Sequence, residues 1–176
     1  DAHEQAPGPE ILRDLDGDVD AFICAVGSGG TLAGVGKALR AGTPSAKIGL
    51  VDPYGAALYA YYTEGEMKSE GGSITEGIGQ GRITANLEGF KPDYAYRVSD
   101  EEMLLRAYQL MQDEGLFLGG SAALNVAGAV KMAADMPKGS TIVTILCDGG
   151  GRYASKMYNP EFLRGKGLPT PPWMEG

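Results

Sequence analysis

One histidine and two cysteines are too few to build a zinc site, and neither cysteine stands in a metal-ligand spacing or a disulfide framework. Cys24 and Cys147 each close an apolar run, the placement of a buried thiol. Basic residues are also scarce. Fifteen Lys and Arg against 23 Asp and Glu leave a formal charge of -8, so nucleic acid and anionic membrane surfaces, which are drawn to basic patches, are not expected partners. A small soluble substrate is. No apolar run reaches the roughly 18 residues that cross a bilayer, and the polar start Asp1-Ala2-His3-Glu4-Gln5 has neither the basic segment nor the apolar core of a signal peptide, so the expected setting is the cytoplasm. The chain opens on Asp1 instead of Met, in a stretch that reads as loop, as a fragment of a longer protein would.

What is present in quantity is glycine. The 28 glycines gather where apolar runs end, and such sites allow backbone to approach a ligand closely. With 176 residues and 43% hydrophobic content, the chain is expected to form one domain with its own core. A short helical pattern covers Pro9 to Leu15 and stops at Asp16-Gly17-Asp18. Residues 20–26 are continuously apolar after Asp20, the habit of a strand buried on both faces of a parallel sheet. A helix is expected from Thr31 to Arg40, and a strand from Lys47 to Asp52 completes a βαβ unit. A short helix over 56–62 precedes a charged, flexible loop at 64–72. The strand Tyr94–Val98 then leads into Ser99-Asp100-Glu101-Glu102, a capping box for a helix ending near Glu114. Beyond it come a small-residue turn at Gly119-Gly120-Ser121, a helix over 122–134 and a last buried strand over 141–146. A short helix over 156–164 and an extended tail over 166–176 close the chain. The class expected is α/β, three-layered, with a mostly parallel sheet flanked by helices.

Gly27-Ser28-Gly29-Gly30-Thr31, between a buried strand and a helix, is built for phosphate: glycines let amides face the anion, the helix start favours negative charge, and two hydroxyls can donate. A tight turn without ligand has the same sequence requirements. The Walker pattern is excluded because no Gly-Lys-Ser/Thr follows. A dinucleotide site stays open, since Asp52 ends the next strand where a ribose-binding acid would stand, although Leu32 takes the place of the third glycine.

The string VGSGGTLAGV resembles the VGTGGTLTG-type loop of the cysteine synthase and cystathionine β-synthase family of pyridoxal-phosphate (PLP) enzymes, with Ser28 keeping the hydroxyl of the usual threonine. Gly8-Pro9-Glu10-Ile11 is similar to the family's TTGPEIW stretch, Glu76-Gly77-Ile78-Gly79 to its (E/Q)GIG loop, and Gly119-Gly120-Ser121-Ala122 to its GGSAG turn. Leu146-Cys147-Asp148 with Arg152-Tyr153 resembles its LPDSGxRY segment, and NPEFLRGKGLP its bacterial endings. The resemblance implies the larger C-terminal domain of the fold type II PLP enzymes. It implies that Gly27, Ser28, Gly29, Gly30 and Thr31 cradle the phosphate, that Ser121 meets the pyridine nitrogen, and that Asp148 supports the strand end beside it, with Arg152 able to pair with Asp148. Ser121 read by position alone is a helix N-cap. The loop Glu76, Gly77, Ile78, Gly79 would lie on the substrate side and move on closure. His3 matches an Ala-His pair of the family, and a lone loop histidine is ordinarily structural. The tyrosines at 59, 61 and 62 are expected to pack a helix or a subunit contact.

The family's Schiff-base lysine and its Thr-Ser-Gly-Asn loop belong to an N-terminal segment that this sequence does not contain, and none of its eight lysines has a matching context. No catalytic residue and no metal ligand is therefore assigned. As part of a longer protein, the expected activity is cysteine synthase, making cysteine from O-acetylserine and sulfide; the alternative is cystathionine β-synthase, joining serine and homocysteine. A homodimer and a serine acetyltransferase C-terminal peptide are the partners the resemblance implies. If the chain is the whole protein, a noncatalytic module holding a phosphate ligand or a peptide is expected instead.

Overall fold

The computed structural model describes residues 2–174; Asp1 and the end of the expected tail lie outside the described residues. Four parallel strands form one sheet in the order β3-β2-β1-β4, with β1 at Ala21–Ala25, β2 at Lys47–Pro53, β3 at Tyr94–Val98 and β4 at Ile142–Thr144. Side chains of a strand alternate between faces, and β1 shows what that does here: Ala21 and Ile23 enter one core while Phe22 and Cys24 enter the other. Leu32, Val35 and Leu39 of α3 (Gly30–Gly42) fill the second core. The first is filled from α5 (Asp100–Glu114) and α6 (Gly120–Asp135) by Met103, Leu104, Leu124 and Met132. Helices on both sides of a parallel sheet make the three-layer α/β arrangement.

Residues 2–5 are helical where a loop was expected, and the helix expected over Pro9 to Leu15 is formed, beginning at Pro7. Ala2–Gln5 (α1) and Pro7–Asp14 (α2) both pack on α3, and Pro7 opens α2 at the position where its missing N–H costs nothing. The expected capping box is formed: Ser99 Oγ accepts from Glu102 N–H at 3.2 Å, and the Glu102 carboxylate accepts from Ser99 N–H at 2.8 Å. The short helix after β2 is α4, Leu58–Glu64.

Three further expectations are corrected. The last strand is shorter than 141–146 and only half-buried, because it lies at the edge of the sheet with a neighbour on one side. In place of a helix over 156–164, turns lead to α7 at Pro160–Gly165, opened by Asn159, whose Oδ1 accepts from Glu161 and Phe162 N–H. The tail is not extended throughout: Pro172–Met174 form a 3-10 turn that sets the Trp173 ring edge-on to Tyr108 at 5.7 Å.

Candidate cofactor site

Strand order reverses between β1 and β4. From β1 the chain crosses through α3 to β2 on one side, whereas β4 is reached from β3 through α5 and α6 on the other face. Loops leaving two such strands diverge, and the crevice at their carboxyl ends is where open α/β sheets receive ligands.

Gly27–Thr31 leaves β1 at that crevice. Gly29 holds φ at +82°, a left-handed conformation that brings the loop into α3 and that other residues rarely adopt. Gly29 has no side chain with which to cap α3, and Ser28 Oγ accepts the Gly30 N–H at 3.4 Å. The Ser28 carbonyl is fixed by Thr84 Oγ1 at 2.8 Å and Asn86 Nδ2 at 2.9 Å, two donors that the sequence motif does not contain. From α1, His3 Nε2 comes within 3.4 Å of Thr31 Oγ1, so His3 belongs to a helix packed behind the loop.

The second expected loop is sewn to the first. Gly79 N–H donates to Val26 C=O at 3.0 Å, and a Cβ on Gly27 would stand 2.7 Å from the Gly77 carbonyl oxygen. At its other end, Ile74 N–H donates to Asp100 at 2.9 Å and Ser73 Oγ bonds the same carboxylate. Residues 73–79 are thus tied at both ends, and the stretch 64–72 before them is exposed. Glu76 is ion-paired with Lys156, whose hydrogen bond and charge hold its carboxyl below the usual range. Ile78 joins the partly buried side chains around the first core. Ser73, Thr75, Ile78 and Gly79 border a depression of about 280 Å³ that also touches Pro53 and Ala56.

The remaining wall comes from α6 and the segment after β4. Helix α6 begins two residues earlier than expected, with Gly119 as its N-cap, so Ser121 is not the cap but lies in the first turn. It is 7% exposed. Gly120 lies beside the Thr75 methyl, which brings this turn against the 73–79 loop. Asp148 C=O accepts from Gly119 N–H at 3.1 Å, and its side chain takes the Tyr153 hydroxyl at 2.7 Å while Oδ1 stays buried without a partner. The expected Arg152–Asp148 pair is not formed; Tyr153 takes that place, and its phenol is pushed up by the hydrogen bond to Asp148. Cys147 is exposed rather than buried because β4 has ended before it, whereas Cys24 is buried and its thiol is pushed up by desolvation.

One residue was missed. Asn125, 1% exposed on α6, accepts Ala25 N–H on Oδ1 at 2.7 Å and donates through Nδ2 to Ile145 C=O at 2.8 Å. A lone amide one turn after Ser121, amid the alanines of GSAALNVAGA, was the available signal. Asp52, the ribose acid of the dinucleotide alternative, is 0% exposed and accepts Tyr59 N–H at 2.9 Å at the start of α4, out of reach of a ligand.

The 73–79 loop meets Gly27 ahead of α3 and Gly120 in the first turn of α6, which brings the starts of these two helices to either side of one loop at the strand ends, with the Thr31 hydroxyl turned to His3. Helix starts are rich in donors, and two so placed fit a ligand with a phosphate at one end and a ring acceptor at the other.

The comparisons agree with this fold. The chain is 45% identical to Cysteine synthase 1 of Emericella nidulans over 95% of its own length and 46% of that protein's. It is 39% identical to the putative mitochondrial cysteine synthase of Saccharomyces cerevisiae over 89% and 43%. The crystal structure of the O-acetylserine-dependent cystathionine β-synthase from Helicobacter pylori superposes with a TM-score of 0.80 at 32% identity, covering 88% of this chain and 48% of that one. The chain spans about half the length of the curated relatives it matches. Residues 4–148 match the family model described as pyridoxal-phosphate dependent enzyme, and the chain belongs to that family.

Proposed function

We propose that this chain is the phosphate- and ring-binding part of a cysteine synthase, which makes cysteine from O-acetylserine and sulfide, and that the lysine carrying the cofactor stands in a segment outside residues 1–176. The observation that supports the reading is that the 73–79 loop touches both Gly27, ahead of the left-handed Gly29 that opens α3, and Gly120 in the first turn of α6. Gly27, Ser28, Gly29, Gly30 and Thr31 would hold the phosphate through amides and hydroxyls. Ser121 would meet the ring nitrogen, and a hydroxyl there, unlike a carboxylate, does not hold a proton firmly on that nitrogen. When bound, PLP supplies an electron sink for the substrate's α-carbon, and the modest sink that Ser121 permits suits β-replacement. Asp148, fixed by Tyr153, would stiffen the ring-side wall. Glu76, Gly77, Ile78 and Gly79 would border the amino-acid substrate and limit water.

The name of the Helicobacter pylori relative keeps one alternative in view, that the acceptor is homocysteine in place of sulfide. A homodimer, docking of a serine acetyltransferase C-terminal peptide and a cytoplasmic setting belong to the same proposal. Among the described residues no helix is long and apolar enough to cross a membrane.

Borohydride reduction of the native protein followed by peptide mapping tests the reading. A PLP adduct on one lysine outside residues 1–176, with cysteine formed from O-acetylserine and sulfide, supports it. A native protein that carries no adduct and makes neither cysteine nor cystathionine refutes it.

A further inference from the structure

Asn125 is a polar side chain on the most buried helix of the sheet's first core, and the site as described so far assigns it no chemistry. Its amide is fully used: one oxygen takes the Ala25 N–H, and one nitrogen serves the Ile145 carbonyl with a weaker 3.6 Å contact to Cys147 Sγ. The β1·β4 ladder ends at the pair Ile23↔Thr144, so this amide spans the two strands where their own pairing stops. The three parts that build the site meet on it. Helix α6 carries Ser121 one turn earlier, Ala25 runs through Val26 into Gly27, and Ile145 runs through Cys147 into Asp148.

We infer that Asn125 is a positioning residue for the cofactor: by bridging Ala25 and Ile145 it fixes the span between the phosphate loop and the ring-side groups Ser121 and Asp148, so that one rigid ligand engages both. The inference rests on the cofactor reading above. Only a carboxamide meets the need, because one atom must accept an N–H while the other donates to a C=O. A carboxylate would set oxygen against the Ile145 carbonyl, and an aliphatic side chain would leave both backbone groups bare.

A merely structural tie would behave differently, and the molecule contains one for comparison. Thr144 Oγ1 donates to Ile23 C=O at 2.6 Å, joining the same two strands within the ladder and away from the loops. The test uses the full-length protein freed of PLP, with Asn125→Ala, Asn125→Thr and Thr144→Val, each held at a temperature where circular dichroism shows it folded. Two probes are titrated. Inorganic phosphate reads the phosphate loop alone; pyridoxine 5′-phosphate has ring and phosphate but no aldehyde, and so cannot react with surface lysines.

Both Asn125 variants are expected to weaken pyridoxine 5′-phosphate about tenfold or more, the worth of one anchor lost from a rigid ligand. Inorganic phosphate binding should stay within about twofold for all variants, and Thr144→Val should keep both affinities. If Asn125→Ala does not fold, Asn125→Thr, which retains a hydroxyl for one of the two partners, carries the test. Asn125 variants that bind pyridoxine 5′-phosphate like the parent, or a Thr144→Val that weakens it equally, overturn the inference and leave the cofactor reading standing. A full-length parent freed of PLP that binds inorganic phosphate but not pyridoxine 5′-phosphate overturns both.

Discussion

Asp52 is a carboxyl closed off from solvent, and its replacement by asparagine should make the protein more stable at neutral pH. Oδ2 accepts Tyr59 N–H at 2.9 Å, while Oδ1 is buried with no hydrogen-bond partner. Burial raises its pKa; the amides at the start of α4 and the Arg97 guanidinium pull it back, and the balance leaves it at about 6 against an ordinary 3.8. Arg97 helps only in part because it is shared, paired with Glu70 at 3.0 Å and lying over the Tyr54 and Tyr59 rings. A pKa raised in the folded state means that the proton favours folding: the contribution is complete below pH 4, falls as pH rises through 6, and is gone above 7. A rise of about two pH units, at about 1.4 kcal/mol each, amounts to about 3 kcal/mol across that window. Asn keeps an acceptor for Tyr59 N–H but turns an N–H₂ toward the Leu58 amide, which offsets part of the gain. The expected net is about 2 kcal/mol at pH 7, or about 4–8 °C in Tm for a domain of this size. Urea unfolding of parent and Asp52→Asn at intervals from pH 4 to 8 measures the difference directly. A difference that does not change with pH, or a variant less stable than the parent at pH 7, would refute the reasoning.

Three other substitutions probe the site walls. Gly27→Ala sets a methyl 2.7 Å from the Gly77 carbonyl, a backbone atom that cannot rotate away; a loss of about 1–3 kcal/mol is expected in denaturant melts, with weaker pyridoxine 5′-phosphate binding. Tyr153→Phe strips Asp148 of its hydroxyl donor and should cost about 1 kcal/mol by the same melts, and an unchanged midpoint would show the bond to be idle. Lys156→Ala frees Glu76 at the surface; Tm should hold while hydrogen exchange at the Gly79 amide quickens, and unchanged exchange would show that the ion pair does not restrain the loop.

Legibility followed the range of the interaction. β3 and the capping box were read to the residue because both are decided within four or five positions of the chain. The helical start was not, because α1 is a four-residue helix whose support is its packing on α3, a contact between distant sequence positions. The edge position of β4 was equally hidden: TIVTIL has the apolarity of a central strand, and only sheet order shows that one side lacks a neighbour. Cys147 was misread for that reason. In the site, both glycine loops were visible as motifs, yet the bond from Gly79 N–H to Val26 C=O and the bridge at Asn125 were not, because a lone amide in an alanine-rich helix gives no periodic signal.

The chemistry offered at the crevice is one-sided. In the proposed site, amides, the Ser28, Thr31 and Ser121 hydroxyls and two helix starts would act as donors, and none of them is a base fit to take a proton from carbon. The carboxylates nearby are engaged, Asp148 by Tyr153 and Glu76 by Lys156. Lys156, beside the 73–79 loop, is held by its ion pair with Glu76. In the proposed reading, binding and proton transfer are separable tasks, and the residues assigned in this chain would serve the first.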